Sequence, residues 1–242
     1  MHLGDPFPVK PTTLQLALVL LFTTTLASAQ SNQAFLATYK GTPYTDSHHP
    51  IGAQPVPGKA ECAFYDRGGE GVAYHDTDAK NNGSGALNPA DGTYLNEFRM
   101  NEGVDTSYTK FHDPHVQIDN NPYNLVVPPD GQLYVGWTEP GEWFNLTVNV
   151  AHAGLYTADL LYTSNRGGSI GIDVNGQPAG TPINIPSTFS TAEPVAWRQW
   201  HHWNLLPNAT KIHLPTGRSV LTVHILTGGQ MNLAYLDFKK SQ

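Results

Sequence analysis

The strictest constraint on the fold of this chain is an alternating stretch that follows a Thr-Glu-Pro-Gly turn. Apolar side chains occupy every second position of it, at Phe144, Leu146, Val148 and Val150. The positions between them carry Trp143, Asn145, Thr147 and Asn149. A period of two is typical of a half-buried β-strand. Because Pro140 presets φ for the turn and Gly141 relieves it, residues 142–150 are predicted to form a strand directly after a tight turn.

The rest of the chain repeats this pattern in short pieces. Apolar-alternating runs are divided by Gly, Pro, Asn and Asp, and no segment has a convincing helical period. The predicted strands cover residues 60–66, 94–100, 133–138, 142–150, 154–163, 169–174, 199–205, 211–214, 218–226 and 231–238. Many short strands at regular spacing predict an all-β fold, a sandwich of two antiparallel sheets.

The pattern also predicts how the chain is organised. Residues 30–54 lack periodicity and are interpreted as a leader or linker, and residues 55–242 as one β-sandwich. Two polar stretches, 76–93 and 105–131, are rich in Pro, Asn and Gly. We expect them to be long loops at the binding end, because loops carry recognition in such folds.

Residues 1–29 have the features of a secretory signal peptide. Lys10 precedes an apolar run from Leu14 to Leu26, and Ala27-Ser28-Ala29 gives a small-x-small cleavage pattern. The apolar run is too short to span a bilayer comfortably. The sequence therefore predicts a secreted protein, extracellular or periplasmic, with no membrane association after cleavage.

The charge of the chain indicates which class of partner it binds, and its cysteine content limits the disulfides it can form. The formal net charge is −7, from 20 acidic and 13 basic residues, and no Lys/Arg cluster stands out. This argues against nucleic acid and favours a neutral plant or microbial glycan. The single cysteine, Cys62, excludes an intramolecular disulfide and is interpreted as a buried thiol. We expect a monomer.

Trp137 is the first candidate binding residue. It precedes the turn, at a strand end, where an aromatic side chain can stand at the rim of a sheet. A flat aromatic ring there can stack on the apolar face of a pyranose while polar neighbours bind the hydroxyls. The alternative is a core tryptophan, because tryptophans are often largely buried.

Acidic residues leave an enzymatic alternative open. Glu139 and Glu142 flank the turn, and Asp76 and Asp105 lie in the long loops. Glycosidases use two carboxylates roughly 5–9 Å apart. We interpret the loop carboxylates as structural or solvated and expect no catalytic residue.

Taken together, the motifs resemble the family 6 carbohydrate-binding modules. The segments that carry the resemblance occur in family order: 57–61, 65–76, 102–105, 136–143, 153–156, a Trp-x-x-Trp element, and 231–238. The resemblance spans about 57–238. It implies a galactose-binding-domain-like jelly-roll sandwich.

The resemblance also implies a sugar cleft among loops at one end of the sandwich. There a sugar ring lies between two aromatic side chains and an asparagine binds its hydroxyls. Carried onto this sequence, the first aromatic is Trp137 and the asparagine is Asn232. The second falls on one of three tryptophans: Trp200, with Trp203 as core, or Trp197 in the other register.

Calcium is the one cofactor that the resemblance implies, as a structural ion. Glu61 matches a first-strand ligand and Asp237 is a substitute on the last strand. Ala63 and Ala234 stand where two further ligands are expected. Since calcium prefers six or more oxygens, we expect that no cofactor is required.

The leading hypothesis is a secreted, non-catalytic carbohydrate-binding protein. One alternative is a small polysaccharide-acting hydrolase or lyase that uses the loop carboxylates. The other is a structural or adhesive surface protein.

Overall fold

The computed structural model describes residues 33–114 and 117–241. The predicted signal peptide lies outside these residues. Within these ranges the sandwich has twelve strands: β1 (Gln54–Val56), β2 (Gly58–Glu61), β3 (Tyr74–His75), β4 (Thr106–Tyr108), β5 (Leu133–Val135), β6 (Trp143–Val150), β7 (Gly154–Ser164), β8 (Gly168–Val174), β9 (Gln177–Ile185), β10 (Asn204–Leu214), β11 (Gly217–Gly228) and β12 (Met231–Lys240).

The strands form two sheets. The first has the order β1-β6-β11-β8-β9, with β3 also paired to β6, and the second has the order β10-β7-β12-β5-β4, with β2 also paired to β12. Pairing is antiparallel except between β1 and β6. The predicted all-β sandwich of two antiparallel sheets is confirmed.

The main core lies between the sheets. Inward-facing apolar residues of β6, including Leu146 and Val148, share one buried cluster with Leu160 of β7 and Phe238 of β12. The second sheet has a smaller cluster on its other face, under the loop between β4 and β5, with members Phe111, Tyr134, Leu161, Trp203 and Ala234.

Strand β6 departs from the prediction of one solvated face. Asn145 and Thr147, on its polar face, are both buried. The N–H and the hydroxyl of Thr147 donate to the Asp66 carboxylate at 2.8 and 2.6 Å, and the Asn145 amide donates to the carbonyl of Val72 at 3.0 Å. The chain segment before β3 therefore covers this face and supplies its hydrogen-bond partners.

The segment interpreted as a leader packs against the sandwich over much of its length. A short helix covers residues 33–38, and the Tyr39 hydroxyl donates to Asp66 at 2.7 Å. Tyr44 is buried in a third cluster with Ala63, Phe98 and Leu133. No helix in the two described ranges is long and apolar enough to cross a membrane.

The predicted strand positions were wrong at 94–100 and over most of 60–66 and 199–205, where β10 begins only at Asn204, and β1, β3, β4 and β9 were not predicted. Residues 94–100 form turns, in which Tyr94 and Phe98 pack together one helical turn apart. Strand β2 ends at Glu61, where a 3₁₀ turn over Cys62–Phe64 begins and buries the free thiol of Cys62. Strand β9 was missed because prolines interrupt it; β9 is an edge strand, where proline is tolerated.

Candidate functional site

The candidate site is a cleft of about 490 Å³ beside the second sheet. Strands supply its base, with Ser107 from β4 and Tyr134 from β5. Loops supply the rest. The lining residues are Leu87, Ser107, Lys110, Ile118, Tyr134, Trp137, Trp197, Trp200 and His201. The cleft therefore brings together three of the four predicted ligand-binding residues, and its lining is mostly aromatic and apolar.

Trp137 stands two positions after the end of β5 in a backbone conformation that is unusual for its residue type. Its φ is 49°, in the left-handed region that disfavours bulky side chains. Hydrogen bonds hold the chain on both sides: Gly136 N–H donates to the Asp105 carbonyl at 2.9 Å, and Gln230 N–H donates to the Thr138 carbonyl at 2.8 Å. Such conformations cost free energy and cluster at functional sites. The half-buried indole faces the cleft.

The other tryptophans differ in burial. Trp200 is half-buried and lies against the imidazole of His201, with ring centroids 4.0 Å apart. Trp197, on a 3₁₀ turn over Ala196–Arg198, is 54% exposed. Trp203 is fully buried, and its indole N–H donates to the Asp119 carboxylate at 2.5 Å. Trp197 and Trp200 both line the cleft, while Trp203 belongs to the cluster beneath the β4–β5 loop.

Asn232 lies beneath the cleft surface and is only 1% exposed. Its amide donates to the Thr163 hydroxyl at 2.9 Å, and the same nitrogen is 3.4 Å from Nδ1 of His201. Its Oδ1 is buried and has no hydrogen-bond partner among the described residues. A β-carbon added to Gly136 would lie 2.7 Å from this oxygen. Asn232 therefore supports the cleft from behind Gly136 and His201.

The two adjacent histidines point to different places, as alternation along an extended segment requires. His201 lines the cleft, and burial lowers its pKa to about 3, so the imidazole is neutral. His202 Nδ1 donates to the Thr188 carbonyl at 2.8 Å and its ring packs on Tyr123, outside the cleft.

Lys110 is a lining residue that sequence reasoning missed. Its ammonium donates to Asn88 Oδ1 and lies 4.8 Å from the Tyr108 ring centroid. Burial lowers the pKa of Lys110. Asn88 in turn donates to the Ser107 hydroxyl at 3.1 Å. The only sequence signal was its position inside 105–131, the segment predicted as a binding loop.

The loop carboxylates gather around the turn at 139–142. Glu142 is buried and accepts from the Glu139 N–H at 2.7 Å and from the Thr77 hydroxyl at 2.7 Å. Burial, opposed by a backbone hydrogen bond and reinforced by neighbouring carboxylates, raises the pKa of Asp76 to about 7 and that of Asp105 to about 6. Among the described lining residues of the tryptophan cleft, none carries a carboxylate.

The positions suggested for calcium do not fit that ion. Glu61 pairs with Tyr235 and accepts from the Gln132 amide at 3.1 Å. Asp237 of β12 lies opposite Lys59 of β2 in the strand register, and its carboxylate is 3.9 Å from Lys239 Nζ. Ala63 and Ala234 are buried. Within the described part of the chain, no group of three or more acidic, histidine or cysteine side chains is placed to hold a metal, whereas calcium takes six or more oxygens.

Comparison with known proteins identifies the family. The sequence model described as carbohydrate binding module, family 6, matches residues 106–240, more than half of the chain. The chain belongs to this family. The match contains β4 to β12 and every lining residue of the cleft except Leu87. The resembling segments 57–61, 65–76 and 102–105 lie before it.

Several solved structures are similar to this carbohydrate-binding module. One is the module of lichenase 5A from Cellvibrio mixtus in complex with cellotriose, at 24% identity and a TM-score of 0.38, covering 46% of this chain and 80% of that one. A family 35 module from Clostridium thermocellum has 23% identity and a TM-score of 0.37, and the match covers 49% of this chain and 84% of that one.

A third is the C-terminal family 6 module of a marine laminarinase from Zobellia galactanivorans, at 18% identity and a TM-score of 0.37, covering 46% of this chain and 82% of that one. The search of curated proteins gave no match.

Proposed function

We propose that this module is a secreted, non-catalytic protein that holds a polysaccharide or oligosaccharide in the tryptophan cleft. A pyranose ring stacks on Trp137, and Trp200 or Trp197 holds its other face. Asn232, beneath the cleft surface, positions His201 to bond the sugar hydroxyls. The observation that carries the proposal is the meeting of Trp137 with Trp197 and Trp200 in one open cleft, although Trp137 is 60 and 63 positions away from them in the sequence.

The cleft has the chemistry that sugar rings require. Aromatic rings stack on the apolar C–H face of a pyranose, and this stacking contributes about 1 kcal/mol or more of binding free energy in addition to that from the buried apolar area. Ser107 supplies a hydroxyl and His201 a neutral imidazole, groups that exchange hydrogen bonds with sugar hydroxyls. One or two rings in an open cleft correspond to micromolar affinity at best.

The non-catalytic assignment is supported by the position of the acidic residues. Glu142 is occupied by hydrogen bonds that hold the 139–142 turn and Thr77. The described lining of the tryptophan cleft offers a bound sugar no carboxylate, and glycoside hydrolysis commonly uses a pair.

A second candidate, a polysaccharide-acting hydrolase or lyase, is favoured by one observation. The raised pKa of Asp76, about 7, is of the kind found for general acids. Its cause here is burial together with neighbouring carboxylates, in a cluster separate from the described cleft lining.

Affinity electrophoresis against xylan, β-glucan, agar and mannan, with a reducing-end assay on the same mixtures, separates these functions. We expect retardation by at least one glycan and no release of reducing ends. Reducing ends produced by the wild type but not by Asp76→Asn would establish the enzyme. Absence of retardation and of turnover across the panel would favour a structural or adhesive role.

A further inference from the structure

We propose that the cleft selects a sugar carrying an anionic substituent, a uronate carboxylate or a sulfate ester, which pairs with the Lys110 ammonium. This inference rests on the proposed function and specifies the ligand of the same site. The glycan backbone can be neutral, as the net charge of −7 favours. The acidic group is then a local feature recognised next to the stacked ring.

Lys110 is placed to make this contact. It lines the same cleft as the tryptophans. An ammonium has three N–H donors; one is directed to Asn88, and the Tyr108 ring lies 4.8 Å away. Within the two described ranges, donors of the Lys110 ammonium therefore remain for a ligand. Because Asn88 is itself bonded to Ser107 at 3.1 Å, the ammonium is held by a buried chain of hydrogen bonds.

The charged groups around Lys110 keep its ammonium protonated and leave it free to pair with an anionic ligand. Asp113 and Asp119 are the carboxylates that stabilise it electrostatically. The Asp119 carboxylate accepts the backbone N–H of Lys110 at 2.7 Å and the Trp203 indole N–H at 2.5 Å. The one histidine in the described lining, His201, is neutral. Lys110 is thus the charged member of that lining.

The chemistry favours an anion over a hydroxyl. A half-buried ammonium has lost part of its hydration, and a charge-assisted hydrogen bond to a carboxylate or sulfate is roughly twice as strong as a neutral one. A lysine binds such groups as a point charge and does not demand the planar geometry that a guanidinium does. A C6 carboxylate or a ring sulfate projects from the edge of a pyranose, so its face stays free to stack.

Matched oligosaccharide pairs test this inference by isothermal titration. The pairs are β-1,4-mannotriose and β-1,4-mannuronotriose, xylotriose with and without one glucuronic acid branch, and a neutral agar tetrasaccharide with its sulfated counterpart. In 20 mM salt we expect the anionic member of at least one pair to bind about tenfold more tightly, an advantage that shrinks in 0.5 M salt. The first two pairs report carboxylate, the third sulfate.

Variants separate recognition from folding. Lys110→Gln should bring the ratio of anionic to neutral affinity close to one, and Lys110→Arg should retain it. Lys211→Gln, on an exposed position of β10, is the matched control and should leave the ratio unchanged. A merely structural loss would weaken both members equally and keep the ratio, which would overturn the inference.

Failure of the inference is distinguishable from failure of the proposed function. Neutral members binding as tightly as anionic ones, with binding lost in Trp137→Ala, would overturn the anion preference and leave the proposed function standing. Absence of binding by all members would overturn both.

Discussion

Gly136 and Asn232 fit together so closely that a β-carbon on the glycine would lie 2.7 Å from the amide oxygen of the asparagine. The glycine immediately precedes Trp137, and the asparagine is 3.4 Å from His201, which lines the cleft. One close contact therefore joins the backbone that positions the first tryptophan to the side chains behind the cleft.

Replacing Gly136 by alanine should disturb the cleft through this contact. The added methyl group also meets the Tyr134 ring at 3.3 Å, so Asn232 or the Trp137 backbone has to shift. We expect a loss of about 1–3 kcal/mol in unfolding free energy, typical of overpacking, and roughly tenfold weaker glycan binding.

Urea unfolding and titration measure the two effects of Gly136→Ala. Gly171→Ala is the control, because the atoms nearest to its β-carbon belong to the exposed, flexible side chain of Leu226. Equal behaviour of the two variants would show that the contact with Asn232 does not matter.

Trp203 should be a stability residue. Trp203→Phe removes the indole N–H that donates to Asp119, whose burial raises its pKa to about 6. The buried carboxylate would lose a donor and the cluster would lose volume, for a cost of about 2–4 kcal/mol. Chemical unfolding gives the value.

Combining Trp203→Phe with Asp119→Asn should restore part of that stability, since the amide carries no charge to leave unpaired. A cost below 1 kcal/mol for Trp203→Phe alone would contradict the anchoring role.

His201 should make the stability of the protein depend on pH. Burial disfavours the charged imidazolium and lowers the folded-state pKa of His201 from the ordinary value of 6.5 to about 3. Its stabilising contribution is complete above pH 6.5 and is lost as the pH falls toward 3. Relative to His201→Gln, the wild type should lose up to about 1.4 kcal/mol per pH unit across this window. A constant difference from pH 7 to pH 4 would contradict the burial of the neutral ring.

Calcium should leave stability unchanged. Glu61 is bonded to Gln132, Asp237 lies beside Lys239, and alanines occupy two of the positions where the family resemblance implies ligands. We expect melting temperatures within about 1 °C in calcium and in chelator, since a ligand stabilises only the state that binds it. A calcium-dependent rise that Asp237→Asn abolishes would show instead that the site binds the ion.

Period-two patterning predicted the sandwich because strand alternation is a local property. It missed β9, where Pro178 and Pro182 suppress the pattern on an edge strand. It misread the polar face of β6, because Asp66 and Val72 come from a distant segment that covers Asn145 and Thr147.

In the cleft, too, the sequence indicated residues that carry a local motif and missed one that depends on contacts between distant segments. The family resemblance selected Trp137 and offered one register with Trp203 as core, and the structure buries Trp203 while Trp137 and Trp200 line the cleft. Lys110 could not be assigned from sequence, because it reaches the cleft only when the loop after β4 folds over the second sheet. That fold depends on contacts such as the Trp203 indole with Asp119, 84 positions apart.

The most direct test of the carbohydrate cleft is isothermal titration of the wild type and tryptophan variants with the glycan that the panel selects. Trp137→Ala and Trp200→Ala, still folded, should each weaken binding at least tenfold. The effect of Trp197→Ala shows whether Trp197 or Trp200 stacks on the second face of the sugar. Trp143→Ala, which removes a half-buried indole from the other sheet, should stay within about twofold of wild type. Unchanged binding by Trp137→Ala, or loss in Trp143→Ala alone, would contradict the assignment of the cleft.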